Sequence, residues 1–289
     1  MKEILILSGK GGTGKTTLVG SLSVLLGSKV IADCDVDAAD LHLILSPQIE
    51  NVHEFWSGVT AQVKQDQCTG CGTCLEICHF DAVTIQDDVS LIDPLECEGC
   101  AVCAQFCPEE AIVLKDNLCG AWFTSKTSYG PMIHAQLHIG EENSGKLVST
   151  VKRAAKELAQ ELNVDWLLVD GPPGIGCPVI ASLSGADLVL AITEPTMSGL
   201  HDLERVLELA SHFKIPAAVC INKWDLNKEM AEKIETACKN KKIHVLGRIP
   251  FDQEVIESIV AGRPLVDHSS GPAAQAVKKI AQALEKWGH

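Results

Sequence analysis

Short apolar runs recur along this chain, and segments of helix length separate them. The runs read EILILS, KVIADCD, DWLLVD, ADLVLAIT, AAVCIN and KIHVLGRIP. Each is almost continuously hydrophobic, which is typical of strands buried on both faces of a parallel sheet. A glycine-rich turn and a predicted helix near Lys15–Leu26 follow the first run. This alternation predicts an α/β fold with a doubly wound, mostly parallel sheet.

The last segment, GPAAQAVKKIAQALEKWGH, also has a helical pattern. Its apolar residues at helical spacing are Val277, Ile280, Ala281, Leu284 and Trp287. A helix packed on the sheet and an amphipathic membrane anchor would both have such a stripe. The segment carries only three lysines, and we therefore predict the packed helix.

The turn after the first strand reads GKGGTGKTT and fits the pattern G-x4-G-K-[ST] between a strand and a helix. In this setting backbone N–H groups bind phosphate at the N-terminus of the helix. Lys15 is predicted to reach the β- and γ-phosphates, and Thr16 to ligate Mg²⁺. The predicted nucleotide-binding residues of the turn are Gly9, Gly11, Gly12, Thr13, Gly14, Lys15, Thr16 and Thr17.

Aspartates follow two of the predicted strands. Asp33 and Asp35 end the second run, and Asp170 ends DWLLVD. Ligands of open α/β sheets bind at the carboxyl edge of the strands, so Asp33 and Asp170 are predicted Mg²⁺ contacts. Asp37 and Asp40, further along the same loop, are interpreted as solvated charges.

Two later loops are candidates for binding the base of a nucleotide. INKWD supplies Asn222 for a purine edge, with Lys223 beside it, and GRIPFD supplies Pro250 and Asp252. INKWD also fits NKxD, a pattern in which a carboxylate, here that of Asp225, binds guanine. ATP is favoured, and GTP remains the alternative.

Eight of the thirteen cysteines form two runs, each with the spacing C-x2-C-x2-C-x3-C. The runs comprise Cys68, Cys71, Cys74 and Cys78, then Cys97, Cys100, Cys103 and Cys107. Zinc ribbons use paired CxxC knuckles, and disulfides need an oxidising compartment. Neither alternative accounts for the third and fourth cysteine of both runs, so the spacing predicts two [4Fe-4S] clusters.

Charge restricts the partners that the chain can bind. The formal net charge is −14, and residues 62–117 contain eleven Asp and Glu but only Lys64 and Lys115. Nucleic acid is therefore not expected as a partner. The acidic segment is either a solvated surface or a docking face for a basic protein.

The cysteine segment interrupts the strand and helix alternation as an insertion. The predicted domains are a first part of the nucleotide-binding domain over 1–60, an insert over 61–118, and the second part over 119–289. The start, MKEILILSGKGG, lacks an apolar run of signal-peptide length, and no segment approaches the length of a membrane span. We expect a cytoplasmic protein without a membrane partner.

KGGTGKTT contains an additional lysine, Lys10, and resembles the MinD/ParA/Mrp and nitrogenase iron protein family of P-loop ATPases. The resemblance covers the whole chain except the insert, and GPPGIG is similar to the switch loop of Mrp-like members. It implies ATP as the nucleotide and a homodimer in which Lys10 reaches the phosphates of the partner subunit. It also implies that Asp35 orients the attacking water, so Lys10, Lys15 and Asp35 are the predicted catalytic residues.

The insert resembles bacterial ferredoxins with two [4Fe-4S] clusters, small α+β domains in which the fourth cysteine of each run binds the other cluster. This resemblance implies one cluster on Cys68, Cys71, Cys74 and Cys107, and a second on Cys97, Cys100, Cys103 and Cys78. The expected fold is thus a P-loop NTPase with an inserted ferredoxin-like domain.

The combined motifs predict an iron-sulfur ATPase in which ATP binding and hydrolysis gate electron or cluster delivery to a protein redox partner. An Mrp-like carrier that delivers clusters or metal centres to an apo-protein is an alternative. A GTP-using metallochaperone and a MinD-like positioning ATPase are further alternatives. Cys177 stands where the nitrogenase iron protein has a ligand of its bridging cluster, but we interpret it as a thiol of the switch loop.

Overall fold

The computed structural model describes residues 1–138, 141 and 144–287. The strands are β1 (Lys2–Ser8), β2 (Lys29–Asp33), β3 (Gln48–Val63), β4 (Val83–Gln86), β5 (Val89–Ile92), β6 (Ile112–Thr127), β7 (Gly130–Leu137), β8 (Trp166–Pro173), β9 (Leu188–Thr193), β10 (Ala217–Asn222) and β11 (His244–Ile249).

The helices are α1 (Lys15–Leu25), α2 (Leu41–Leu45), α3 (Thr73–Ile77), α4 (Val102–Phe106), α5 (Ser144–Glu161), α6 (Cys177–Leu183), α7 (Met197–His212), α8 (Lys228–Asn240), α9 (Gln253–Val260), α10 (Leu265–His268) and α11 (Pro272–Glu285). A short 3₁₀ helix spans Trp224–Leu226. Among the described residues, no helix combines the length and the apolar character that crossing a membrane requires.

A nine-stranded sheet has the order β11-β10-β9-β1-β8-β2-β7-β6-β3. Strand β1 lies at its centre and pairs in parallel with β8 and β9, and the chain of parallel pairs continues outward to β11 and β7. The predicted α/β fold with a mostly parallel sheet is therefore confirmed. All six predicted apolar runs form strands of this sheet.

Three strands of the sheet were not predicted from the sequence. In β3 most side chains are exposed, and β6 and β7 join through Ser128 and Tyr129. A strand without a continuous apolar run gives a weak periodic signal, which explains why β3 and β6 were missed.

Aliphatic side chains form the core beneath the sheet. Ile4, Ile6, Leu18 and Leu22 join strand β1 and helix α1 at 2% exposure or less. Helix α11 contributes buried apolar residues to the same core: Ala273, Ala274, Val277, Ile280, Ala281 and Leu284. The prediction that the C-terminal helix packs on the sheet is confirmed.

The chain divides into two compact units. Unit 1 comprises residues 1–53, 122–136 and 144–289, and unit 2 comprises residues 54–121 and 137–143. The chain passes between the units within β3, β6 and β7, and again between residues 143 and 144. The predicted insert 61–118 lies inside the residue ranges of unit 2.

Unit 2 contains the short helices α3 and α4 and the antiparallel pair β4-β5. A small cluster of buried apolar residues and Cys74 forms its interior: Ala61, Cys74, Val83 and Ile112. Four partly buried cysteines of the two runs pack against this cluster: Cys78, Cys97, Cys103 and Cys107. A sulfur-rich interior therefore replaces the larger aliphatic core found in unit 1.

Candidate nucleotide and cluster sites

The glycine-rich turn connects the end of β1 to the start of α1. Gly12 and Gly14 have φ of 75° and 90°, the left-handed region that disfavours residues with a Cβ. A Cβ on Gly14 would also overlap the side-chain nitrogen of Asn222. Asn222 Nδ2 donates to the carbonyl of Thr13 at 2.8 Å, so β10 fixes the turn from the side. The amide predicted to contact a purine thus holds the phosphate-binding turn in this structure.

Lys15 is buried between two carboxylates. Its Nζ lies 2.7 Å from Asp170 Oδ1 and 3.2 Å from Asp35 Oδ2. Burial opposes the charge on Lys15, but Asp170 and Asp35 outweigh that effect and raise its pKa above the ordinary lysine value. Lys15 is therefore a permanent cation at the carboxyl edge of the sheet.

Asp33, Asp35 and Asp170 converge at this edge from β2, the loop after it, and β8. The backbone N–H of Asp35 donates to Asp33 Oδ1 at 3.1 Å. Burial and the neighbouring Asp170 raise the pKa of Asp33, and burial raises that of Asp35 against the opposing effect of Lys15. Concentrated negative charge of this kind suits a divalent cation.

Several buried oxygens at this edge have no hydrogen-bond partner among the described residues. They are Asp33 Oδ2, Asp170 Oδ2 and Thr13 Oγ1. Since buried polar atoms are normally paired, such oxygens indicate a site for an additional polar ligand. Hard carboxylate oxygens are ligands that fit Mg²⁺ either directly or through its waters.

Lys10 and Lys223 share a carboxylate that sequence reasoning missed. Glu194 follows β9, and its two oxygens lie 3.4 Å from Lys10 Nζ and 2.6 Å from Lys223 Nζ. The Lys10 side chain is 37% exposed. Glu194 could not be identified from a motif, because its only signal is its place at the end of a sheet strand.

A pocket of about 200 Å³ opens beside the turn. The predicted residues that line it are Gly12, Gly14, Thr17, Asn222, Lys223, Pro250 and Asp252. Its apolar wall, which the sequence did not reveal, consists of Leu18, Ile249, Phe251, Val255, Ile256, Ile259, Leu265 and Val277. A flat, partly apolar ring such as a purine fits such a wall.

The alternative of guanine recognition depends on Asp225. Asp225 does not line the pocket, and its Oδ1 accepts a hydrogen bond of 2.7 Å from the backbone N–H of Phe251. Asp252 caps α9, accepting from Glu254 N through Oδ1 and from Ala273 N through Oδ2, both at 3.1 Å. Both carboxylates therefore stabilise the loop that forms the pocket.

Replacing Gly14 by alanine is expected to weaken ATP binding at least about tenfold. The new Cβ meets Asn222, and a non-glycine residue in the left-handed region costs about 1–3 kcal/mol. Titration with a fluorescent ATP analogue measures the affinity. Gly27→Ala is the matched control, because its Cβ makes only an ordinary contact, 3.6 Å from Asp165 Oδ2. Equal affinities of the two variants would contradict the prediction.

In unit 2, each of two small cavities is lined by four cysteines. Cys68, Cys71, Cys74 and Cys107 line the first cavity. Cys78, Cys97, Cys100 and Cys103 line the second. Each set thus takes three cysteines from one run and the fourth from the other. All eight are free thiols rather than disulfides.

Two glycines allow the cysteine loops to approach the neighbouring backbone. Gly70 and Gly99 have φ of 67° and 65°, and a Cβ on either would overlap a carbonyl group, that of Asp88 or of Val59. The loops are thus closed by positions that only glycine fits. Four thiols converging on one small volume are the donor set that iron-sulfur clusters require.

Backbone and side-chain donors face the sulfur atoms. The N–H groups of Ser90, Ala61 and Ala111 donate to Cys68, Cys97 and Cys107 at 3.4–3.5 Å. Hydrogen bonds, chiefly from Ser90 N–H, lower the pKa of Cys68, and those from Thr73 lower that of Cys71. Burial raises the pKa of Cys103. Donors directed at sulfur stabilise thiolates, the form that binds metal.

The remaining cysteines lie outside these cavities. Cys34, Cys119, Cys220 and Cys238 are buried. Cys177 is exposed at the start of α6. Asp37 and Asp40 are also exposed, in agreement with their interpretation as loop charges.

The fold and the glycine-rich turn between β1 and α1 define a P-loop protein of the MinD/ParA type. The chain belongs to the CobQ/CobB/MinD/ParA family of nucleotide-binding domains, whose model matches residues 4–265. An uncharacterised protein of Methanocaldococcus jannaschii is 33% identical over 288 residues, 99% of this chain and 97% of the relative. The predicted membership of the MinD/ParA family is thus confirmed.

Two more distant proteins are similar over nearly the whole chain. An iron-sulfur cluster carrier protein of Pyrococcus abyssi is 22% identical over 98% of this chain and 85% of its own length. The structure of the septum site-determining protein MinD with Mg-ADP from Pyrococcus horikoshii has a TM-score of 0.59 and 21% identity. It covers 99% of this chain and 96% of that chain. The second similarity concerns the fold alone.

Proposed function

We propose that this protein is an ATP hydrolase that holds two [4Fe-4S] clusters, and that its nucleotide state gates electron or cluster delivery to a partner protein. One observation carries the proposal: a chain of the MinD/ParA family contains two cavities, each lined by four free cysteines. A nucleotide switch and a redox centre on one polypeptide are most simply explained if one controls the other.

The residues at the carboxyl edge of the sheet fit hydrolysis of ATP. Lys15 would leave the carboxylates of Asp35 and Asp170 for the β- and γ-phosphates, and Asp35 would then be free to orient the attacking water. Thr16, Asp33 and Asp170 would hold Mg²⁺, which neutralises charge on the phosphates when bound. Lys10 would exchange Glu194 for the phosphates of a partner subunit, so the active form would be a homodimer.

The cavities of unit 2 fit iron-sulfur clusters better than zinc. Zinc ribbons use paired knuckles, whereas each cavity here collects four cysteines from two runs of four. When bound, the clusters supply one-electron redox chemistry. The protein contributes the eight thiolates, the N–H donors and the glycine loops that let the backbone close around them.

Coupling can be tested by measuring ATP hydrolysis in two redox states. The protein is reconstituted anaerobically, and phosphate release is followed with the clusters oxidised and then reduced by dithionite. We expect the rate to differ at least about twofold between the states. The effect of the nucleotide on the clusters is measured separately. The rate of electron transfer from the reduced protein to an acceptor such as methyl viologen should differ between the ATP-bound and the ADP-bound protein.

A control variant makes this experiment decisive. A Lys15→Ala variant should keep its iron and lose the nucleotide effect on electron transfer, because Lys15 lies only in the nucleotide site. Identical hydrolysis rates in both redox states, together with identical electron-transfer rates with ATP and ADP, would exclude gating.

A cluster carrier is the second candidate, supported by the Pyrococcus abyssi protein that is named an iron-sulfur cluster carrier. The two functions differ in the fate of the iron. Incubation with apo-aconitase, followed by separation and iron analysis, should leave the iron on this protein if it donates electrons. ATP-dependent transfer of iron and sulfide to aconitase would instead establish the carrier function.

Selectivity for ATP is expected to be independent of Asp225. The carboxylate accepts from Phe251 N–H and lies outside the pocket, so Asp225→Asn, which keeps an acceptor oxygen, should leave the ratio of ATP to GTP affinity within about twofold. Competition of both nucleotides against a fluorescent analogue measures the ratio. A more than tenfold fall in GTP affinity, with ATP affinity unchanged, would instead identify a guanine-binding site of the NKxD type.

A further inference from the structure

The two cysteine cavities are related by a repeat of 29 residues. Cys68 and Cys97 are counterparts in this repeat, as are Gly70 and Gly99. The backbone around them follows the same relation. Gly70 packs on the carbonyl of Asp88 and Gly99 on the carbonyl of Val59, two positions that are also 29 residues apart.

The N–H donors repeat in the same way. Ser90 N–H donates to Cys68 Sγ, and its counterpart Ala61 N–H donates to Cys97 Sγ, each at 3.5 Å. The backbone therefore gives the two cavities one equivalent hydrogen bond each, and the first cavity receives another from Ala111 N–H to Cys107 Sγ at 3.4 Å. Any electrostatic difference between these paired positions must come from their side chains.

The side chains at two of the paired positions differ by a hydroxyl group. In the first cavity Ser90 Oγ lies 3.2 Å from Cys74 Sγ, and Thr73 Oγ1 lies 3.5 Å from Cys71 Sγ. In the second cavity the counterparts are Ala61 and Val102, which have no hydroxyl. Once the cysteines are thiolates, only the hydroxyls have a proton to donate in these contacts.

The Ser90 hydroxyl is well placed for this role. Ser90 is 2% exposed, so water does not compete effectively for its hydroxyl, and it contacts two sulfurs of one cavity through its N–H and its Oγ. The wall of the second cavity is instead extended by apolar side chains, among them Ile77, Phe80 and Val102.

Reduction of a [4Fe-4S]²⁺ centre adds one electron to the centre and its thiolates. Hydrogen bonds to the sulfurs stabilise this added negative charge and raise the reduction potential, whereas an apolar wall disfavours it. Both hydroxyls of these paired positions face the first cavity, whereas each cavity is lined by one glutamate, Glu109 in the first and Glu98 in the second.

We propose that Ser90 and Thr73 make the two centres unequal, so that the centre held by Cys68, Cys71, Cys74 and Cys107 has the higher reduction potential. The proposal depends on the clusters of the proposed function. A low-potential one-electron donor gives up one electron. This first electron resides on the higher-potential centre, which becomes [4Fe-4S]⁺, and no bond is broken. Only the second electron reduces the centre in the second cavity.

A reciprocal exchange of side chains tests the proposal. The reconstituted full-length protein is titrated potentiometrically and followed by EPR, and we expect two separate one-electron waves. Ser90→Ala with Thr73→Val should shift the upper wave to lower potential and leave the lower wave in place. Ala61→Ser with Val102→Thr should shift the lower wave upward, because it places the hydroxyls in the second cavity.

The outcomes separate this inference from the function on which it rests. A wild-type protein without the iron and sulfide of two [4Fe-4S] clusters would refute the cluster proposal itself. Full clusters with one unresolved two-electron wave, or a shift of the wrong wave, would refute only the assigned inequality. If the Ser90→Ala variant loses its cluster, two other variants still test the proposal: Ala61→Ser and the single change Thr73→Val. Reduction waves that are unshifted in both variants would contradict the proposal.

Discussion

Replacing Asp35 by asparagine is expected to slow ATP hydrolysis about 10²–10⁴-fold while ATP affinity stays within a few fold. The amide has the size of the carboxylate and still offers an oxygen to Lys15, which lies 3.2 Å away. It cannot accept a proton from water, so the loss should fall on the chemical step. Phosphate release under saturating ATP measures the rate, and a fluorescent analogue measures the affinity.

Asp37→Asn is the matched control for this variant. Asp37 lies in the same loop and loses the same charge, but its side chain is exposed, and it makes no contact with Lys15 among the described interactions. We expect its rate to stay within about twofold of the wild type. Equal losses of hydrolysis rate in both variants would indicate a general effect of loop charge. An unchanged hydrolysis rate in Asp35→Asn would mean that another group activates the water.

The sequence predicted the centre of the sheet because apolar strands buried on both faces have an unmistakable pattern. Such runs give β1, β2 and β8 to β11, and the aspartates that end β2 and β8 could be assigned to one edge. Strand β3 gave no such signal, because polar, exposed side chains dominate it. Periodicity reports burial, and it therefore fails where a strand is mostly solvated.

The residues of the candidate sites likewise include some that the sequence predicts and others that it does not. The glycine-rich turn and Asp170 were predictable because their chemistry requires fixed residue types at fixed spacing. Glu194 and Phe251 were not, since tertiary contacts alone bring Glu194 to Lys10 and Lys223, and Phe251 to the pocket wall. Local spacing defines a binding motif, whereas the groups that support or surround it are set by the fold.

The grouping of cysteines in unit 2 leads to a strong test of the clusters. Although Cys107 is four residues from Cys103, it lines the cavity of Cys68, Cys71 and Cys74. Cys78 likewise lines the cavity of the other run. If clusters bind as these cavities indicate, loss of the fourth cysteine of one run must damage the cluster held by the first three cysteines of the other run.

Cys107→Ala is accordingly expected to lose the same reduction wave as Cys74→Ala, while Cys78→Ala loses the same wave as Cys103→Ala. Each variant should lose up to half of its iron or convert one centre to a three-iron form, because three thiolates cannot complete the ligand set. Redox titration followed by EPR identifies the surviving wave. Cys177→Ala, which removes an exposed cysteine outside both cavities, should keep both waves. If Cys107→Ala instead removed the wave lost in Cys103→Ala, each run would bind its own cluster, and the crossed arrangement would be wrong.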